Sequence, residues 1–422
     1  MKLGVMVYEY PPKIVGGLGT YSAEITRQFI LMGNDVAVFT MNDDASSLPT
    51  REIWRGIEIH RPQHIDISDS LPTVVAEDIR KWGGGGIHWF SKILVYNYLS
   101  AAKLANELIR KEGVKFDLIV AHDWLSAIGG MTVKKEAKLP FAFHVHSTEK
   151  GRTLGNGSVT VSNIELHAAK AADLVVTVSY AMKEELIGLG CAKEKIQVAY
   201  NGVDPKKYDP ATVTPEQIKK VRAMYDIKDD DYMILFVGRL VNVKGVDKLI
   251  LALPHILQKN PKAKLVIVGL GDLQEYLMNL VKVTKMSDFV KFRFEFIPEE
   301  ERILHYAACD VAVFPSFYEP FGIVVLEAMS MERPVVVGAA GVSGMREIVA
   351  CCGEEQCGYH TDPSNPSDIA WGINSVLESD EKRKWLGKNG RKRVLNEFTW
   401  DKIAGKTLGL YEQIINAKLG AR

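Results

Sequence analysis

Long apolar runs are missing from this 422-residue chain. None approaches the roughly 18 consecutive apolar residues that a membrane helix needs, so no transmembrane span is expected. The opening Met1–Lys2–Leu3–Gly4–Val5–Met6–Val7 has one Lys and too short an apolar stretch for a secretory leader. It reads as a first strand, and a cytoplasmic location is expected. Cysteine is scarce and odd in number: Cys191, Cys309, Cys351, Cys352 and Cys357. That argues against a disulfide framework. The last three cluster, but no His stands at the spacing a zinc finger requires. Excess charge of either sign is also lacking, with 52 Lys plus Arg against 52 Asp plus Glu. Bulk nucleic-acid binding and a strongly acidic partner are therefore not expected. Metal-binding aspartates are missing from strand carboxyl ends. Asp229–Asp230–Asp231 precedes the apolar run Tyr232–Val237 and reads as a solvated turn at its amino end.

What is present is the composition of a globular protein, 47% hydrophobic and 25% charged, in a length that exceeds one ordinary core. Strand and helix patterns alternate through the first half. Leu3–Val7, Val36–Thr40, Asp117–Ala121, Phe141–Val145, Leu174–Val178 and Lys195–Ala199 read as strands. Tyr21–Leu31, Phe90–Lys111, Ser126–Ala137, Val161–Ala169 and Met182–Leu189 read as helices. The second half repeats the pattern after a stretch punctuated by Pro205, Pro210 and Pro215. Such alternation predicts α/β domains with parallel sheets covered by helices on both faces. Ile59–Ser70 and Trp82–His88 fit no element, and Gly83–Gly86 reads as a flexible surface loop.

The chemistry collects at strand ends. Ser316–Phe317–Tyr318–Glu319–Pro320–Phe321–Gly322 joins an apolar strand to an apolar-rich helix that begins at Ile323. Pro320 suits a first helical turn, and Gly322 lets backbone approach a ligand. The unpaired N–H groups there form a cradle for an anionic group. Glu319 and Glu327 stand eight positions apart across the turn. Gly238–Arg239 and Lys244–Gly245 flank another loop into a helix, where a guanidinium fork and an ammonium suit a diphosphate. Gly269–Leu270–Gly271 opens a further helix. In the first half, Lys13 and the pair Gly16–Gly17 precede the first helix. His122–Asp123–Trp124 and His144–Val145–His146 stand at the ends of two strands. Strand alternation lets only one of His144 and His146 face a cleft, and His146, nearer the loop, is favoured. No spacing of these histidines with a carboxylate matches a zinc motif, so no metal site is assigned.

Taken in order, Gly16–Gly17–Leu18, His122–Asp123–Trp124, His146–Ser147, Asn201–Gly202–Val203–Asp204, Gly238–Arg239, Lys244–Gly245 and Glu319–Pro320–Phe321–Gly322 with Glu327 resemble glycosyltransferase family four. Its members are retaining enzymes of the GT-B fold, and the likeness covers nearly the whole chain. The glycogen and starch synthases look most similar. One departure is that Ile14 and Val15 separate Lys13 from Gly16, where those enzymes usually have Lys-x-Gly-Gly-Leu. The resemblance implies two Rossmann-like doubly wound domains facing across a cleft, 1–205 on the acceptor side and 206–397 on the nucleotide side. It also implies a final helix within 398–422 crossing back to the first domain.

By the same resemblance, Arg239 and Lys244 hold the donor diphosphate, Glu327 the ribose, and Glu319 the sugar hydroxyls with the N–H groups of Phe321, Gly322 and Ile323. Lys13, Gly16, Gly17, Asn201, Gly238 and Gly269 complete the donor contacts. His146 lies against the transferred sugar, and His122, Asp123 and Trp124 receive the acceptor. The expected reaction moves glucose from ADP- or UDP-glucose to the non-reducing end of an α-1,4-glucan, with no cofactor and no metal. Transfer to a small sugar, sugar phosphate or lipid is the alternative. A nucleotide-sugar epimerase and a non-catalytic nucleotide-sugar sensor are the readings from other classes.

Overall fold

In the computed structural model, described here for residues 1–14, 16–42 and 48–420, the chain forms two compact units. The first comprises Met1–Tyr200 with the C-terminal helix Trp400–Gly420, and the second is Asn201–Thr399. The changeovers fall a few residues from the expected 205/206 and 397/398. Residues 201–205 stay with the second unit because the Val203 N–H donates to the Phe398 carbonyl at 2.9 Å and Val203 bridges Thr399.

The first unit holds eight strands: β1 (Lys2–Met6), β2 (Asp35–Phe39), β3 (Arg51–Trp54), β4 (Ile57–His60), β5 (Leu118–His122), β6 (Phe141–Val145), β7 (Leu174–Thr177) and β8 (Ile196–Val198). Their order is β3-β4-β2-β1-β5-β6-β7-β8, all parallel except the edge hairpin β3–β4. That hairpin was not expected. Arg55 and Gly56, both at positive φ, make its two-residue turn. The order reverses at β1/β5, so a crevice opens beyond the carboxyl ends of these two strands. The helix Trp400–Gly420 packs on helix Gly17–Leu31, with the rings of Tyr411 and Phe29 6.0 Å apart.

Two expectations fail between β4 and β5. Gly83–Gly86 is not a loop but the first turn of helix Gly83–Ala102. The apolar surface that follows, Phe90, Ile93 and Val95, is buried and extends the helix back through residues of poor propensity. The helix also does not run unbroken to Lys111, because Lys103–Lys111 is wound as a π-helix.

The second unit holds β9 (Tyr232–Val237), β10 (Ala263–Val268), β11 (Val290–Arg293), β12 (Val311–Phe314), β13 (Val335–Gly338) and β14 (Gly358–Thr361). They form one parallel sheet in the order β11-β10-β9-β12-β13-β14, reversing at β9/β12. Ile234, Phe236, Leu265 and Ile267 pack with Leu249, Leu253, Ile369 and Ile373 of the covering helices Val246–Leu257 and Pro366–Val376. Among the described residues no helix is long and apolar enough to cross a membrane.

Candidate active site

In the second unit the predicted donor residues gather at the β9/β12 switch. Val237 ends β9, and the exposed Arg239 has no hydrogen-bond or ion-pair partner among the described residues. The next turn, Asn242–Lys244, closes on Gly245 at φ 64°. A Cβ there would lie 2.2 Å from the Pro315 carbonyl oxygen, so only glycine lets the two loops touch. The Phe317 N–H donates to the Val243 carbonyl at 2.8 Å across the same seam. This backbone contact delivers the Lys244 ammonium onto the Glu319 carboxylate, where the two form an ion pair. The residue expected at the diphosphate and the one expected at the sugar are thus direct neighbours. Gly238 and Gly269 meet in the same way, since a Cβ on Gly269 would fall 1.9 Å from the Gly238 oxygen.

Glu319 is fixed through its backbone. Its N–H donates to Val342 at 3.0 Å, and its carbonyl accepts from Gly344 at 2.8 Å. Gly322, at φ 105°, caps helix Ile323–Ser330. Pro320 therefore lies in the loop ahead of the cap, not in the first turn as expected. The Phe321 side chain is buried, with its ring 6.2 Å from that of Phe398.

Glu327 has a second role that the sequence reading missed. It is 3% exposed. Arg302 grips it with two bonds, Nε to Oε2 at 2.9 Å and Nη2 to Oε1 at 3.1 Å, and the Tyr306 hydroxyl adds a third at 3.0 Å. The Tyr208 hydroxyl accepts from Arg302 at 2.8 Å. Burial pulls the Arg302 guanidinium down, and Glu327, Tyr208 and Tyr306 together more than offset it, so the guanidinium stays charged. A ribose hydroxyl would find one acceptor position left on Oε1. Asn201 keeps a buried Oδ1 with no hydrogen-bond partner among the described residues.

In the first unit, three imidazoles converge at the ends of β5 and β6. The rings of His122 and His144 are 4.7 Å apart, and those of His122 and His146 5.3 Å. His122 Nδ1 and His146 Nε2 share a hydrogen bond of 3.0 Å. The expectation that only one of His144 and His146 could face this place fails because β6 ends at Val145 and the chain turns at His146. Tyr21 packs against His122, His144 and His146, and the Tyr411 hydroxyl bonds His144 Nε2 at 2.7 Å. Burial, then the neighbouring rings, pushes His122 and His144 well below the usual imidazole range. His146 is lowered by burial against the opposing pull of Asp123.

Asp123 adopts the left-handed region at φ 55°, rare for a residue with a Cβ. There its Oδ1 accepts the His146 N–H at 2.7 Å, which ties the loop after β6 to the helix after β5. Trp124 differs from its expected acceptor role. It is 4% exposed, stacked on Phe90 and edge-on to Trp89. Trp89 is the exposed indole at this edge, 40% accessible, and its Nε1–H donates to the Tyr8 hydroxyl at 3.1 Å. Trp82, which caps the helix, and Trp89, about two turns on, have their rings 5.9 Å apart and were the missed signal. At the Gly16–Gly17 loop the Gly16 N–H is taken by Glu9 at 3.1 Å. The Lys13 side chain is exposed, and its backbone N–H donates to Tyr10 at 3.2 Å. Val15 lies outside the described residues.

Just after His146 in the chain, the Glu149 N–H donates to both Glu165 oxygens at 2.9 and 3.1 Å, and Arg152 reaches back to Ser147 Oγ at 2.7 Å. Burial pushes the Glu165 carboxyl up to about 7, against the pull of Arg152 and the Glu149 N–H. An acid raised above its unfolded value of 4.5 favours folding most below that value and loses the advantage as pH climbs to about 7. Glu165→Gln should remove that slope. Unfolding free energies from denaturant melts at pH 5 and pH 7.5 should differ by about 1–3 kcal/mol less in the variant than in the native chain. Equal slopes would mean that the carboxyl stays ionised on Arg152.

Family models match this chain in two blocks, Glycosyltransferase Family 4 over residues 15–207 and Glycosyl transferases group 1 over 217–393. An uncharacterised glycosyltransferase of Methanocaldococcus jannaschii is 34% identical over 98% of both chains. Glycogen synthase of Mycobacterium tuberculosis is 26% identical over 100% of this chain and 96% of its own. Among solved structures, sucrose-phosphate synthase of Thermosynechococcus elongatus superposes with a TM-score of 0.76 at 24% identity, covering 99% of each chain. Two doubly wound parallel sheets with glycine-rich loops at their switch points, together with these matches, define a glycosyltransferase of the GT-B fold. The chain belongs to glycosyltransferase family 4.

Proposed function

We propose that this enzyme, acting in the cytoplasm, transfers glucose from ADP- or UDP-glucose to the non-reducing end of an α-1,4-glucan with retention of configuration. The observation that carries the donor half is the Lys244–Glu319 pair at the β9/β12 switch, with Arg239 exposed in the loop that carries Lys244 and without a partner among the described residues. As the bond from C1 to the diphosphate oxygen breaks, positive charge grows on the sugar and negative charge on the leaving group. Lys244, Arg239 and the N–H groups ahead of helix Ile323–Ser330 meet the second, and Glu319 answers the first. The acceptor hydroxyl attacks C1 from the same face and gives its proton to the leaving phosphate oxygen. His146 is assigned to the transferred sugar. The glucan acceptor draws support from the His-Asp-Trp resemblance and from the full-length likeness to a glycogen synthase.

A second reading keeps the donor chemistry but ends on a sugar phosphate. It is favoured by alpha-maltose-1-phosphate synthase of Mycolicibacterium smegmatis, 26% identical over 98% of this chain. The test is a screen of ADP- and UDP-glucose against glycogen, maltooligosaccharides, glucose 1-phosphate and inositol phosphate, run with and without EDTA. Chain elongation with an α-1,4 product by NMR, undiminished by EDTA, is expected. Transfer confined to a phosphorylated acceptor would replace the glucan reading. Activity lost to EDTA and restored by manganese would overturn the assignment of the leaving-group charge to Arg239 and Lys244.

A further inference from the structure

We propose that His122, His144 and His146 form a binding site for a divalent transition ion of the zinc class, and that its occupancy inhibits the enzyme. One ring nitrogen from each histidine lies within 4.8 Å of the other two. A tetrahedral zinc with bonds of about 2.1 Å places its nitrogens about 3.4 Å apart. The His122 Nδ1–His146 Nε2 pair, at 3.0 Å, is close to that spacing already. The widest separation has to close by about 1.4 Å at most, within reach of a side-chain rotation.

The surroundings suit a metal centre. All three donors are imidazoles, which select zinc, cobalt, nickel or copper and offer no oxygen for magnesium or calcium. The Tyr411 hydroxyl holds His144 Nε2 at 2.7 Å, the outer bond that typically orients a metal-bound histidine, while the Tyr21 hydroxyl reaches Nδ1 only at 3.5 Å, a long contact that an ion at Nδ1 would displace. The His146 backbone is held by Asp123. Three protein ligands leave a fourth position open. His146 is the half-buried member of the three and marks the side from which an ion enters. On binding, the proton shared by His122 and His146 moves to the other nitrogen of the ring that carried it, so both rings face the ion with a lone pair.

Inhibition rests on the proposed role of His146 at the transferred sugar, because an ion withdraws that ring from the sugar. Binding does not rest on it. The full chain without a histidine tag, stripped with a chelator, is titrated with zinc chloride against a chromophoric competitor, and separately with cobalt chloride. One ion per chain and an intense visible cobalt spectrum of tetrahedral type are expected. His144→Gln and His122→Gln should each weaken zinc at least a hundredfold, with melting curves confirming the fold. Where either variant fails to fold, His146→Ala supplies the same comparison. No binding, or binding that all folded variants retain, overturns the site. In assays, zinc should raise the apparent donor KM of the native chain, and His144→Gln should need at least a hundredfold more zinc for the same effect. Zinc that binds in titration yet leaves both the donor KM and kcat unchanged would sink the inhibitory role and the assignment of His146, with the site itself intact.

Discussion

Glu319→Ala is expected to lower kcat about a hundredfold or more without raising the donor KM. The carboxylate meets charge that develops only as the bond to the diphosphate breaks, so its removal is felt in the transition state, at about 3 kcal/mol. Its second effect follows from the ion pair. With Glu319 gone, the Lys244 ammonium loses its partner and is free for the donor phosphates. The donor KM should hold or fall while kcat collapses. Glu319→Gln keeps the shape and removes the charge, so the loss it shares with alanine measures electrostatics. Steady-state kinetics on both variants decide the matter. A near-normal kcat in Glu319→Ala would return this residue to a merely structural place in the loop.

The second large effect is on stability. Glu327→Ala would strand the Arg302 guanidinium, which is mostly buried against Glu327, Tyr208 and Tyr306. Breaking one side of a buried, hydrogen-bonded pair typically costs about 3–5 kcal/mol. In a unit of this size the melting temperature should fall by about 10 °C. Replacing both partners, as in Glu327→Leu with Arg302→Met, should recover most of the stability, because apolar groups of similar size leave no orphaned charge. If Glu327 also serves the ribose, the double variant should fold and still show a raised donor KM. Thermal melts paired with donor titrations separate the two roles. A Glu327→Ala chain that melts normally and differs only in KM would refute the structural half.

The fold was legible because alternation of apolar runs and turn residues is a local signal, which marked six of the eight strands of the first unit but not the edge hairpin β3–β4, and every strand but one has a parallel neighbour. The exception, β3, is paired antiparallel to β4 through Arg55–Gly56, which carries none of the usual Asn-Gly or Asp-Gly signal. The donor loops were legible because glycine spacing and a nearby cation report backbone geometry directly. What stayed hidden depends on contacts between residues far apart in sequence. Arg302 lies 25 positions from Glu327, and Tyr411 lies 267 from His144. Trp124 was placed on the acceptor side by the resemblance of His122–Asp123–Trp124, yet the helix Gly83–Ala102 covers it. His144 was set aside by strand alternation, a rule that stops where the strand stops.

Gly83–Gly86 bears on how evenly that covering helix holds together. Each glycine costs about 1 kcal/mol relative to alanine inside a helix, so four in the first turn cost about 4 kcal/mol. Further along, Asn97 ties the helix to Leu125 and Gly129 with bonds of 2.7 Å each, and Phe90 and Ile93 are buried. The two ends of one element therefore have very different free energies of opening. The first turn can fray and re-form as a local event while the body opens only with the unit as a whole. Trp82 and Trp89 straddle that boundary, so the exposed indole at this edge is mounted on the firm part of the helix and its neighbour on the soft part.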